Sequence, residues 1–311
     1  MDPIHPSLAG VPPETLDKIC KFLDYNQILG LRPVCRRLKN YVDNCRPDFG
    51  HQAITIIVVE NGYRLSFMTK SRKLAIINCV DGNEDQWRPL EVILSHQKSL
   101  LNCFSIDSWA RKNQKGFSEL LEKIEPCLMT RVRQLQVTQF RLLARHEKDV
   151  MSILPYLDPG FLQKIELTLY ISKENKKRTL ELGRIKELEH WKMTNRFEAP
   201  LFFIDAKIEE FEHFEKFVFR MDTLKMSDVA AWKEKIFTHS IKTTYAQISY
   251  RNLLKDAEIP PGHLPIDESN PDVYEYPISD GKKQRLYLKL TSKFLRISFF
   301  HCLNGVWYPA F

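Results

Sequence analysis

Side chains capable of chemistry are plentiful in this 311-residue chain, but their spacing does not suit them to it. The nine histidines are dispersed, and only His190, beside Trp191, and His213, beside Phe214, lie in distinctive stretches. A zinc hydrolase sets two histidines one helical turn apart around a glutamate. A serine hydrolase or a nucleotide-binding enzyme shows a nucleophile elbow or a glycine-rich phosphate loop. None of these patterns occurs. The acids Glu187, Glu189, Glu209, Glu210 and Glu212 recur at helical spacing and read as solvated faces, not as a paired general acid and base. The seven cysteines (Cys20, Cys35, Cys45, Cys79, Cys103, Cys127 and Cys302) are odd in number, scattered and never spaced Cys-x-x-Cys. They form no recognisable zinc or redox motif and fit a reducing compartment. No catalytic residue, metal ligand or cofactor site is expected.

Two basic groups could meet phosphate. Lys173, Lys176, Lys177 and Arg178 read as a solvated loop, and Arg131, Arg133 and Arg141 form a sparse cluster of the kind that reads a phosphorylated partner. The net charge of +7 is a mild excess that helps approach to acidic partners. It is not gathered into the stripe of a nucleic-acid binder, so nucleic acid is not an expected partner. No run of about 18 apolar residues predicts a membrane span. Residues 1–6 do not resemble a signal peptide and no Asn-x-Ser/Thr acceptor occurs, so the expected location is the cytoplasm or nucleus.

The chain length suits one small module and one larger body, and 43% hydrophobic residues can build a sizeable core. Residues 8–44 read as a compact helical unit. Pro12 and Pro13 before Glu14 suit a helix opening. Leu16, Ile19, Cys20 and Leu23 give a first apolar face, and Ile28, Leu29 and Leu31 a second. Pro33 marks a new start, after which Val34, Cys35, Leu38 and Val42 give a third face. Three helices this short bury little surface alone, so apolar residues left outward call for a partner.

The run Val11-Pro12-Pro13-Glu14-Thr15-Leu16-Asp17-Lys18-Ile19, then Leu23, then Ile28-Leu29-Gly30-Leu31-Arg32-Pro33-Val34-Cys35-Arg36-Arg37-Leu38, resembles an F-box. Val11 replaces the usual leucine, Gln27 stands where an acid is common, and Leu38 replaces a frequent tryptophan or phenylalanine. The resemblance implies that the unit docks on the Skp adaptor, with Pro12, Leu16, Ile19, Leu23, Leu29, Val34 and Cys35 at or under that interface.

Beyond residue 50 the pattern changes. Residues 53–60 and 63–68 read as strands of a hairpin turning at Asn61-Gly62, with a third strand at 74–79 after a basic turn at 70–73. From about residue 87, helices alternate with short strands. The apolar spacing L-x-x-L-x-L recurs as Leu101-Phe104-Ile106, Val132-Leu135-Val137, Leu162-Ile165-Leu167, Phe214-Phe217-Phe219 and Tyr245-Ile248-Tyr250. Helical runs are expected at 116–126, 147–156, 178–193 and 227–240. A strand plus a helix repeating every 20 to 30 residues resembles an irregular leucine-rich repeat, although the usual asparagine after each strand is missing. An ordinary α/β domain is the alternative. Strands at 273–278, 284–290 and 294–300 form a closing antiparallel meander, after a loop at 259–265.

Three stretches are similar to the FTH domain that accompanies an F-box in a large nematode family, the F-box A proteins. They are Ile153-Leu-Pro-Tyr-Leu-Asp-Pro-Gly-Phe-Leu-Gln-Lys-Ile-Glu-Leu, Ile185-Lys-Glu-Leu-Glu-His-Trp-Lys, and His213-Phe-Glu-Lys-Phe-Val-Phe with Met226-Ser-Asp-Val. The expected fold is therefore α+β with an α/β repeat-like body. A three-helix F-box (1–50, core 8–44) precedes a β-hairpin connecting region (51–85) and an irregular leucine-rich-repeat-like FTH body (86–311), closed by the meander from about 270.

The resemblance implies a non-catalytic substrate-recognition adaptor of an SCF-type cullin-RING ubiquitin ligase. Its partners would be the Skp adaptor, cullin through it, and a target protein. The alternative is an F-box scaffold or translational regulator that joins partners without driving degradation. On a repeat-like body, outward strand residues make the wall that meets a target: Gln134, Gln136, Thr138, Glu166, Thr168, Lys216 and Arg220.

Overall fold

A computed structural model describes residues 8–69, 74–81, 85–110, 114–169, 178–238, 242–257, 273–277, 284–290, 293–303 and 306–309. The expected basic turn at 70–73, Lys173, Lys176, Lys177 and the 259–265 loop lie outside the described residues. The fold is mixed α/β and divides into two compact units, Met1–Phe140 with Ser152–Phe161 and Arg141–Met151 with Leu162–Phe311.

The first unit opens with α1 (Pro13–Cys20), α2 (Tyr25–Gly30) and α3 (Arg36–Cys45). Pro12 and Pro13 start α1, where a missing N–H is harmless, and Glu14 faces the positive end of the helix dipole. Asp24 opens α2 with a capping box. Its Oδ1 accepts from the Gln27 amide at 2.9 Å, and the Gln27 Oε1 accepts from the Asp24 amide at 2.9 Å.

The third helix begins later than the apolar pattern predicts. The Val34 amide still bonds back to the Leu31 carbonyl at 3.3 Å, and Cys35 is extended (φ −161°, ψ 162°) ahead of Arg36. Val34 and Cys35 thus precede α3 instead of sharing its face, because the chain straightens before it can set out in a new direction. The module's core is Leu16, Cys20, Ile28, Leu38, Tyr41, Val42 and Phe49. Polar ties brace it: the Tyr41 hydroxyl donates to Asp17 at 2.5 Å, Arg37 donates to the Val11 carbonyl at 3.0 Å, and Arg32 pairs with Asp43 at 2.7 Å.

Strands β1 (His51–Val59), β2 (Gly62–Thr69) and β3 (Leu74–Val80) form the expected antiparallel hairpins. Gly62 takes φ +129°, and a Cβ there would lie 2.0 Å from the Cys79 carbonyl oxygen, so glycine alone fits. After α4 (Arg88–His96), β4 (Leu101–Ser108) pairs in parallel with β1, setting Ile54 beside Phe104 and Ile56 beside Ile106. The hairpin strands therefore share a sheet with the strand that follows α4. Helix α5 (Gln114–Met129) packs on α4 and β1, and β5 (Val137–Leu143) lies beside β4.

The second unit contains α6 (Glu147–Met151), β6 (Lys164–Thr168), β7 (Thr179–Leu180), α7 (Gly183–Glu187), α8 (Glu189–Met193), β8 (Arg196–Ile204), β9 (Lys216–Lys225), α9 (Met226–Phe237) and β10 (Tyr245–Leu254). The meander follows as β11 (Val273–Pro277), β12 (Gln284–Leu290), β13 (Phe294–Leu303) and β14 (Val306–Pro309). Strands β6, β8, β9 and β10 are successive parallel neighbours, and β13 closes on β10 antiparallel.

Two expectations change here. The run at 178–193 is not one helix but β7 followed by two short helices that meet at extended Leu188. On one straight helix, Ile185 and Trp191 would point about 120° apart; the break lets both be buried. The repeat phrase also shifts. Phe217 pairs with Ala246 and Phe219 with Ile248, so the last copy is Thr243-Ala246-Ile248 rather than Tyr245-Ile248-Tyr250. A further copy, Thr194-Phe197-Ala199, sits on β8, where Phe197 pairs with both Ile165 and Phe217. Apolar spacing alone passes over these copies because a buried threonine opens each. The Thr243 hydroxyl donates to the Phe214 carbonyl at 2.9 Å, and the Thr194 hydroxyl lies 3.5 Å from the Leu162 carbonyl while donating to the His190 carbonyl at 2.6 Å. In the first unit, Val132 of the second copy is fully exposed while Leu135 and Val137 are buried.

The second unit's core is aromatic. Trp191 meets Phe214 edge-on at 4.8 Å, Phe211 stacks on Phe219 at 4.3 Å, and Trp232 lies 5.4 Å from Phe217.

Candidate functional site

Among the described residues, no cluster of histidine, cysteine or acid could hold a metal ion, and Cys20, Cys35, Cys45, Cys79 and Cys127 form no disulfide. No described helix is long and apolar enough to cross a membrane. Two surfaces stand out as candidate sites.

The helical module presents the first. Leu16 is only 1% exposed and belongs to the module's own core. Ile19, Leu23, Leu29 and Cys35 are half-buried, and the last three pack partly on that core. Pro12 is exposed, and Val34 is 63% exposed. Phe22, which the sequence reading missed, is 89% exposed. It follows α1 but falls off the stripe of Leu16, Ile19, Cys20 and Leu23; a large apolar residue off the stripe of a short helix is the signal that marks it.

A polar ladder across the second unit's sheet is the other surface. Lys164, Arg196, Lys216 and Tyr245 are cross-strand neighbours, as are Glu166, Glu198, Val218 and Gln247, and both rows alternate with the buried row of Ile165, Phe197, Phe217 and Ala246. The Lys164 ammonium bridges Glu166 at 2.8 Å and Glu198 at 2.9 Å. Lys216 reaches Glu198 at 3.1 Å and lies 5.2 Å over the Tyr245 ring, and Arg141 meets Glu166 at 3.4 Å. At the far end Arg296 donates to Gln247 at 2.8 Å. Burial would raise the Glu198 carboxyl, but hydrogen bonds from Lys164 and Lys216 outweigh it and hold the group below the usual carboxylate range.

The expected target-facing residues separate into three groups. Glu166 and Lys216 belong to the ladder. Thr168 and Arg220 are occupied by backbone, donating to the Leu142 carbonyl at 3.4 Å and the Pro200 carbonyl at 2.6 Å. In the first unit, Gln134 donates to the Pro155 carbonyl at 3.0 Å, Gln136 to Asp158 at 3.5 Å, and Thr138 is half-buried on β5. Of the three arginines grouped in sequence, Arg131 and Arg133 line one cleft and Arg141 joins the ladder. Lys164, Glu198 and Arg296 were not anticipated; the charged residues alternating with buried ones on β6, β8 and β13 were the available signal.

The family model for the F-box domain matches residues 8–50, and that for the FTH domain matches residues 118–259. The chain is an F-box and FTH domain protein. No curated protein and no solved structure matches it. The exposed Phe22 and Val34 fall within the F-box, and the charged ladder runs through FTH strands β6, β8, β9 and β10.

Proposed function

We propose that this F-box and FTH domain protein is a non-catalytic substrate-recognition adaptor of an SCF-type cullin-RING ubiquitin ligase. Its F-box docks on the Skp adaptor, and so on cullin, and its FTH domain holds a target protein. Tethering raises the local concentration of the target's lysines at the ligase. One observation carries the reading: a module that matches the F-box has filled its own core, yet leaves Phe22 and Val34 in solvent. Exposed large apolar side chains on so small a module fit burial against a partner. Pro12, Ile19, Leu23, Leu29 and Cys35 border that contact, and Leu16 supports it from beneath. For the target, the repeating strand register of the FTH domain supports a repeat-like body whose outward row, with Glu166, Glu198 and Lys216, forms the wall that a partner meets.

The test is capture of Skp and cullin by the full chain and by a Phe22→Asp, Val34→Asp variant. Capture by the first and loss in the second, with circular dichroism unchanged, is the expected result. Equal capture by both would refute docking through this surface. Target accumulation when the protein is removed would place the complex in degradation rather than scaffolding.

A further inference from the structure

A cavity of about 780 Å³ lies within the first unit, lined by the end of α3, the end of α4 and the segment leading into β5. Four described lining residues are cations: Arg46, Lys98, Arg131 and Arg133. The one acid among them, Asp43, is already held by Arg32 at 2.7 Å. Arg131 is fixed by neutral acceptors, its Nε donating to the Arg133 carbonyl at 3.2 Å and its terminal nitrogens to the carbonyls of Leu94 and Gln97. Carbonyls orient a guanidinium without cancelling its charge. Asp48 lies close enough to favour that charge, but its carboxylate also accepts from the amides of Gly50 at 3.1 Å and Lys98 at 2.9 Å. The Lys98 ammonium donates to the Cys45 carbonyl at 2.9 Å. Arg46 and Arg133 are exposed, and their guanidinium groups have no acceptor among the described residues.

The cleft therefore gathers positive charge that its own acids leave largely uncompensated. A compact dianion with several acceptor oxygens meets that need better than a single carboxylate, because guanidinium forks bind phosphate bidentately. The volume is that of a small-ligand or peptide site. No described lining residue is aromatic, so there is no platform on which to stack a base, whereas Val132 stands fully exposed. We propose that this cleft binds a phosphorylated segment of a partner protein, with the phosphate held by Arg46, Lys98 and Arg133 and an apolar neighbour resting on Val132. The inference rests on the adaptor reading only in taking that partner to be the target.

The test is fluorescence anisotropy of the full chain with a fluorescein-labelled phosphoserine peptide library, the same library after phosphatase treatment, and a short oligouridylate. Binding of the phosphorylated pool alone is expected. Arg133→Glu and Arg46→Glu should each weaken it about tenfold or more, while Lys123→Glu, the same charge change on α5, should leave it unaltered. Equal binding of the treated and untreated pools, an equal loss with Lys123→Glu, or tighter binding of oligouridylate would each overturn the proposal. Skp capture by the same preparations separates the two readings. Capture without phosphopeptide binding rejects the cleft and leaves the adaptor standing; phosphopeptide binding without capture does the reverse.

Discussion

Phe49 lies flat against His96, with ring centroids 4.3 Å apart and planes 4° from parallel, and this stack joins the end of the F-box match to α4. The imidazole Nδ1 of His96 is 3.0 Å from the Pro47 carbonyl. Next to this stack His51 is enclosed by Tyr25, Phe49 and Phe67, and neither of its ring nitrogens has a partner among the described residues. Burial pushes His51 down to about 4, with Asp48 opposing, and burial also lowers His96.

Acid should therefore loosen this junction. With its folded value below the unfolded one, His51 stays neutral in the folded chain while the unfolded chain takes up a proton. Its contribution is fully present above about pH 6.5 and is lost as pH falls toward 4, to the extent of about 3 kcal/mol. Urea midpoints measured across that range should fall, and His51→Phe should flatten the slope. An equally steep slope in the variant would assign the acid sensitivity to other groups.

Leu16 and Phe22 should separate stability from docking. Leu16→Ala empties a core site and should cost about 2–5 kcal/mol, whereas Phe22→Ala should change stability by less than about 0.5 kcal/mol. Thermal unfolding of the two variants beside Skp capture checks this. A large stability loss in Phe22→Ala would mean that the ring is not free in solution.

At the hairpin, Gly62→Ala should destabilise by about 1–3 kcal/mol, because the added methyl meets the Cys79 carbonyl at a backbone angle that other residues avoid. Unfolding that matches the parent would show that β3 can shift to make room.

Lys164→Met should weaken the FTH sheet by about 1–2 kcal/mol, leaving Glu166 and Glu198 without the ammonium they share. Glu198 now titrates below the ordinary range, so its contribution is present above the unfolded carboxylate value and lost as pH falls through its depressed folded value. Without Lys164 that loss should begin at a higher pH. A carboxyl titration followed by NMR would show it, and an unmoved Glu198 would mean that Lys216 suffices.

What the sequence by itself determined was local. Pro12 and Pro13 start a helix, Asp24 and Gln27 cap the next, Asn61-Gly62 turns a hairpin, and the Leu-Arg-Pro-Val-Cys-Arg-Arg run carries the F-box likeness, because each depends on neighbours a few residues away. The tertiary structure decided which apolar residues remain for a partner. Leu16 and Phe22 are six positions apart, yet the first is buried in the module's core with Ile28, Leu38 and Val42, and the second is left 89% exposed. It also decided the register that aligns Thr194 with Leu162 and Thr243 with Phe214, which apolar spacing cannot express because threonine does not score as apolar. The cleft was the least legible. Arg46, Lys98, Arg131 and Arg133 come from three segments, and periodicity tells which side of an element is buried, not which other element it will face.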